Sequence, residues 1–408
     1  MKIAQGLVAA LMLATASTAW SAAAPDDRYV AGWATTLDAP SPLSADQVGR
    51  GPTTLTETVD IAVSGDKVRL RFSNLLGAAR LEIARASVGV ASEGVALRFR
   101  GKPDAALPPG MAILSDPLKL SVKRGDRLRI SFVLKPGLAS APVHNLTLEP
   151  WAYAGDAAPP ASVGTDEPDW AQPWRLVDRV LVRAEKRPVL AVALGDSLTD
   201  GDGDITSKRE TWPWIVSTTG DLVVLNLARA GSRLERDGIG LSGVHRLQAE
   251  ALAIPAVKVL FLEFGLNDIG FPGVSLGPRL LERADATPGE QELEGVFTDA
   301  IDTAHRHGVC VVVATVPPFH DADLPGYFSE DKERTRQAVN TWLRRATPAD
   351  AVMDIDARLQ DPASPGRLAP VFKSQDGLHP NHQGQEVMAQ AARSAFDRLK
   401  AECKRPGG

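Results

Sequence analysis

The sequence predicts two fold classes in one chain: an all-β sandwich followed by an α/β domain built on a parallel sheet. Three observations carry this. Between residues 28 and 185 apolar and polar residues alternate in short runs, the pattern of strands with one buried face. From Pro188 the apolar runs become continuous and are separated by longer helix-compatible stretches, as a parallel sheet covered by helices requires. A chain of 408 residues also exceeds what a single core usually organises.

The elements follow in chain order. Residues 1–24 read as a secretory signal: Lys2, an apolar run from Leu7 to Leu13, and small residues around Ser21 to Ala24 where cleavage is expected. The apolar run is short for crossing about 30 Å of hydrocarbon, which favours a removed leader over a retained anchor and a secreted or periplasmic location. Residues 25–185 form the expected β-sandwich. There "DKVRLRFSN" sets Val68, Leu70 and Phe72 on one face, "DRLRISFVL" does the same with Leu128, Ile130 and Phe132, and "NLTLEPWAY" continues the style. The boundary is expected near "VRAEKRP", 182–188. Residues 186–402 form the α/β domain, with strands expected at "VLAVAL", "LVVLNL", "VKVLFLE", "VCVVVATV" and "AVMDI". Helices are expected at "ELEGVFTDAIDTAHRHG", which stops at a glycine, and at "QGQEVMAQAARSAFDRLK", with Val387, Met388, Ala391, Ala392, Ala395 and Leu399 on one stripe.

Composition narrows the partners. With 45 basic and 50 acidic residues, a net charge of -5, the chain lacks the basic excess that binding a phosphate backbone needs. No nucleic-acid partner, membrane span after leader removal, cofactor or metal is expected, and the oligomeric state stays open. The two cysteines, Cys310 in an apolar run and Cys403 in the tail, are expected to be unpaired thiols, although pairing stays open in an oxidising compartment.

In an open parallel sheet, ligands collect at the carboxyl ends of the strands. The first three predicted strands run into "GDSLTDG", "ARAGSR" and "FGLND", and a fourth polar segment, "SQDGLHPNHQG", precedes the last helix. Ser197 would stand at the mouth of the sheet. Its hydroxyl needs a base, and His379 is the side chain suited to that task near neutrality. Asp376, three residues earlier, would fix the imidazole tautomer. The backbone N–H groups of Ser197 and Gly231, with the Asn267 amide, would face the developing oxyanion. Taken singly, each fragment has an ordinary explanation as a turn or a helix cap.

As a set the four blocks resemble the GDSL-type esterases of the SGNH hydrolase superfamily, over about residues 188–400. The resemblance implies a three-layer flavodoxin-like fold and metal-free ester hydrolysis through an acyl-serine intermediate. It assigns Ser197 as nucleophile, Gly231 and Asn267 as oxyanion donors, and Asp376 with His379 as the rest of the triad. Ala228 stands where a glycine is common in the second block. "AGWATTLDAP" and "VRLRFSNLLGAARLEIARASVGVA" are similar to secreted members that carry a β-sandwich ahead of the catalytic domain, several of them linked to carbohydrate deacetylation. Acetylated sugars or polysaccharides are the substrates this implies; longer acyl chains, or glycan binding without turnover, are the alternatives.

Other features invite weaker readings. Asp200, Asp202 and Asp204 are spaced as calcium ligands are, but Ile205 and Thr211 break the EF-hand pattern, so a solvated loop is expected. His305 and His307 fall at a predicted helix end, and His379 with His382 lacks further nearby metal ligands. Trp212 and Trp214 are expected in the core rather than in a subsite, while Trp151, Trp170 and Trp174 fit packing or sugar stacking equally.

Overall fold

The computed structural model describes residues 28–42, 52–90, 94–135, 140–144, 174–276, 279–280 and 287–407. The expected leader, "NLTLEPWAY", Trp151 and Trp170 lie outside the described residues.

Among the described residues of the first half the strands pair antiparallel. One sheet joins Tyr29–Ala34, Val177–Ala184, Gly65–Asn74 and Met111–Leu114, with Leu118–Val122 also on Gly65–Asn74. A second joins Thr53–Asp60, Arg127–Leu134 and Leu81–Val90 with short edge strands. Val68, Leu70 and Phe72 of the first sheet and Leu128, Ile130 and Phe132 of the second are fully buried, as their alternation requires. Phe72 meets Phe132 edge to face at 5.6 Å, so the two apolar faces close on each other as a sandwich. A small third sheet joins Asp38–Pro42, Ser140–His144 and Trp174–Arg175.

Residues 185–188 lead into the second half. Its strands are β1 (Val189–Gly195), β2 (Leu222–Asn226), β3 (Val257–Glu263), β4 (Cys310–Ala314) and β5 (Ala351–Met353). All pair in parallel in the order β2-β1-β3-β4-β5. This is the flavodoxin-like order, in which connections leave β1 and β3 toward opposite sides and open a crevice between their carboxyl ends. β1 is buried along its whole length, which explains its unbroken apolar run. The helices of this half include α1 (Ser197–Asp200), α2 (Trp212–Ser217), α3 (Leu266–Gly270), α4 (Glu290–Arg306), α5 (Glu330–Arg345) and α6 (His382–Arg398). No helix among the described residues is long and apolar enough to cross a membrane.

The cysteines correct the expectation of free thiols: Cys310 and Cys403 form a disulfide, with Cα atoms 5.9 Å apart. Cys310 opens β4 at the sheet's end, half-buried, and the turn after α6 folds back so that Cys403 is buried beside it. The tail is therefore part of the packed structure. Trp212 is fully buried, edge to face with Phe261 at 5.3 Å, and the Arg209 guanidinium lies 5.5 Å from the Trp214 ring. Both serve packing, as expected. Trp174 falls in the short strand of the third sheet.

Candidate active site

The site gathers at the carboxyl ends of β1 and β3. Asp196 ends β1's turn and caps α1, accepting a hydrogen bond from the Leu198 N–H at 3.0 Å; Ser197 is thereby the first residue of a helix with its N–H unused by that helix. Among the described residues, neither the Ser197 nor the Gly231 N–H donates to a protein acceptor. Gly231 has φ +72°, and a Cβ there would stand 2.8 Å from Ile239, so both conformation and space call for glycine. Ala228 donates its N–H to Asn226 Oδ1 at 3.0 Å in a conformation open to alanine, so the loop path does not require the glycine common at that place.

The sequence-predicted triad is assembled across 182 residues of chain. His379 Nε2 lies 2.8 Å from Ser197 Oγ, and His379 Nδ1 lies 2.5 Å from Asp376 Oδ2. Asp376 Oδ1 accepts the N–H groups of Leu378 and His379, each at 2.9 Å, so one carboxylate sets both the turn and the ring. Gly377 makes this turn at φ +72°, where a Cβ would fall 2.0 Å from the Asp321 carbonyl oxygen. Two cross-links hold the turn on the nucleophile: Ser374 Oγ accepts the Asp204 N–H at 2.8 Å, and Gln385 of α6 donates to the Leu198 carbonyl at 2.9 Å.

Burial pushes the His379 ring down, but the Asp376 hydrogen bond and charge outweigh it and leave the imidazole above its ordinary value of 6.5. For Asp376, burial pushes upward, and the His379 contacts with the two N–H donors win, holding the carboxyl at about 2. The pair is thus a carboxylate that stays ionised and a ring primed to accept a proton.

Asn267, in the first turn of α3, is 3% exposed. Its Nδ2 donates to the Ser232 carbonyl at 3.0 Å and, at 3.3 Å, to Asp196 Oδ2, so the amide sits between the neighbours of Gly231 and Ser197. The Tyr327 hydroxyl donates to Asn267 Oδ1 at 2.7 Å and fixes which end of the amide faces inward.

Sequence reasoning missed the shell behind these groups. Glu263, the last residue of β3, accepts from Thr199 Oγ1 at 3.0 Å, and Thr199 in turn accepts from Trp212 Nε1 at 3.0 Å. Burial pushes Asp196 well above the usual carboxylate range, the nearby Glu263 adds to this, and burial raises Glu263 to about 7. Arg246, fully buried, donates to the Leu227 carbonyl at 2.6 Å and Ser232 Oγ at 3.0 Å, bracing the loop that carries Gly231. The Asp268 carboxylate receives the N–H groups of Leu234 and Glu235. Asp196, Thr199 and Asp268 lie inside quoted motifs, and Glu263 ends a quoted strand; Tyr327 and Arg246 lie in segments without a trace in sequence.

The aspartates expected in a solvated loop have separate tasks. Asp200 turns inward to Lys208, His144 and the Ala230 N–H, and Asp204 accepts the Gln375 N–H at 2.9 Å. Burial raises Asp202 to about 7, partly offset by the charge of His379. His305 Nε2 pairs with Asp350 at 2.8 Å, and His307 Nδ1 donates to the Thr303 carbonyl at 2.9 Å at the end of α4. Among the described residues the metal-ligand types converge only at Cys310, Asp350 and Cys403, where the disulfide occupies both sulfurs.

Residues 193–387 match the GDSL-like Lipase/Acylhydrolase family. No curated protein matches the chain. Among solved structures it is similar to a GDSL-like lipase from Bacteroides thetaiotaomicron, 16% identical, over 52% of this chain and 92% of that one, with a TM-score of 0.38. It is similar also to the carbohydrate acetylesterase Est24 from Sinorhizobium meliloti, 15% identical over 52% and 99% of the two chains, TM-score 0.39. A third is the psychrotrophic esterase EstA from Pseudoalteromonas sp., 15% identical over 52% and 97%, TM-score 0.36.

Proposed function

We propose, for a chain whose residues 193–387 belong to the GDSL-like lipase/acylhydrolase family and which is a serine carboxylic ester hydrolase, that Ser197 is the nucleophile, His379 the general base and Asp376 its partner. One observation carries the reading: the continuous path from Asp376 through the His379 ring to Ser197 Oγ, with contacts of 2.5 and 2.8 Å. His379 Nε2 takes the Ser197 proton as Oγ attacks the ester carbonyl. The negative oxygen that forms is met by the Ser197 and Gly231 N–H groups and the Asn267 amide. His379 then hands its proton to the departing alcohol, and the same nitrogen activates water to release the acid. Asp376 stays ionised throughout and stabilises the imidazolium.

The substrate we propose is a short acyl group, acetyl above all, on a carbohydrate, acted on by an exported protein. The amino-terminal resemblance to secreted, sandwich-bearing esterases supports this, and the Cys310–Cys403 disulfide suits an oxidising compartment. We also take residues 25–185 and 186–402 as the two domains. The test is hydrolysis of p-nitrophenyl acetate by the protein and by Ser197→Ala, followed by an acyl series from acetate to octanoate and by acetylated xylan. Equal rates for the two proteins would remove the nucleophile; faster turnover of octanoate than acetate would replace the sugar ester with a lipid-like one.

A further inference from the structure

The peptide that presents the Gly231 N–H is gripped from the opposite half of the molecule. Two contacts at Ala230 show how. The Ala230 N–H donates to Asp200 Oδ2 at 3.1 Å, and the Ala230 carbonyl, in the same peptide unit as the Gly231 N–H, accepts from Arg229 Nη1 at 3.3 Å. Neither Asp200 nor Arg229 acts alone. Asp200 Oδ1 lies 3.2 Å from His144 Nε2, and the other ring nitrogen of His144 lies 2.9 Å from the Thr36 carbonyl. Arg229 Nε donates to the Asp38 carboxylate. His144 and Asp38 belong to the third antiparallel sheet, on paired strands where Val143 stands opposite Asp38. His144 and Asp200 are 1% and 3% exposed at the side chain, so the contact is sealed from water, where hydrogen bonds to a charged group hold geometry most firmly.

Asp200 is also the last residue of α1, which begins at Ser197. One carboxylate therefore couples the nucleophile's helix to the oxyanion loop, and a ring from the sandwich half orients it. Burial alone would raise Asp200; Lys208 and His144 outweigh this and hold it below the usual carboxylate range, so it stays a charged acceptor.

We infer that His144 and Asp38 are positioning residues for ester hydrolysis, so that the amino-terminal strands complete the catalytic centre rather than only accompany it. The inference rests on the proposed role of Gly231 as an oxyanion donor. Its mark is a loss in kcat with little change in KM, since a displaced oxyanion peptide weakens the transition state and leaves ground-state binding intact.

The experiment measures kcat and KM on p-nitrophenyl acetate for the full chain, His144→Ala, His144→Gln, Asp38→Asn and Ser197→Ala, with near-UV circular dichroism and Tm for each. His144→Ala should lose about 10- to 100-fold in kcat with KM within about threefold, the scale of a displaced oxyanion donor. His144→Gln, whose amide nitrogen reaches the same place as Nε2, should recover most of it. Asp38→Asn should lose at least about tenfold and carries the test should His144→Ala fail to fold. Folded His144→Ala or Asp38→Asn within about twofold of the wild-type kcat, or a loss confined to KM, would overturn the inference while leaving Ser197 in place. Equal rates for wild type and Ser197→Ala would overturn the nucleophile and this inference together.

Discussion

Replacing Asn267 with alanine tests catalysis and packing at once. As an oxyanion donor the amide is worth about 3–4 kcal/mol, so kcat on p-nitrophenyl acetate should fall about 100- to 1,000-fold. The structure adds a cost in stability, because the side chain is 3% exposed and has three partners. Truncation leaves the Ser232 carbonyl and the Tyr327 hydroxyl buried without a partner. Each of these two orphaned groups costs about 1–3 kcal/mol, so unfolding free energy should drop by about 2–6 kcal/mol. The assay is therefore steady-state kinetics at 25 °C on protein whose near-UV spectrum is native, with denaturation in urea alongside. Tyr327→Phe separates the two effects: it removes only the donor to Asn267 Oδ1, lowering stability by about 1–2 kcal/mol and kcat by about tenfold at most. A folded Asn267→Ala protein with kcat within about threefold of wild type would refute the donor role, as would a Tyr327→Phe protein as impaired as Asn267→Ala.

Further outcomes are expected. The raised His379 means that kcat/KM should rise with pH through a midpoint above 6.5, since the ring must be neutral to act as base; a midpoint below that value contradicts the Asp376 contact. Asp376→Asn should lower kcat about 1,000- to 10,000-fold by disturbing the tautomer, with KM nearly unchanged. Because the folded Asp376 carboxyl sits at about 2 against its ordinary 3.8, its contribution to stability is present above pH 3.8 and is lost as pH falls toward 2. The stability gap between wild type and Asp376→Asn should close over that window in acid-denaturation curves. Cys310→Ser or Cys403→Ser removes a cross-link spanning 93 residues, which chain entropy values at up to about 4–5 kcal/mol. Urea denaturation should show the loss, and reduction of the wild type should reproduce it.

Much of the architecture was legible because burial imposes a pattern. β1 is apolar on both faces since it is buried along its whole length, while Val68, Leu70 and Phe72 alternate because the residues between them are only partly buried. That Ser197, His379 and Asp376 would come together was legible because they sit in short segments whose residue types suit one reaction. The rest depends on contacts between distant segments. Glu263 reads as the end of a hydrophobic strand until Thr199 and Asp196 are seen against it. Tyr327 sits in a loop with no periodicity, and its role exists only through Asn267. Arg246 and His144 look like surface residues, yet one is buried under four acceptors and the other fills the seam between the two halves. The disulfide was misjudged because the return of the tail to β4 is a tertiary event without a local signal.

The account depends most on Ser197 being an activated nucleophile, and covalent trapping tests this most directly. Incubation of the full chain with a fluorophosphonate, followed by intact-mass and peptide mass spectrometry, should show a single phosphonyl adduct on Ser197, absent in Ser197→Ala and slowed in His379→Ala. No adduct on folded protein, or one that persists in Ser197→Ala, would contradict the account.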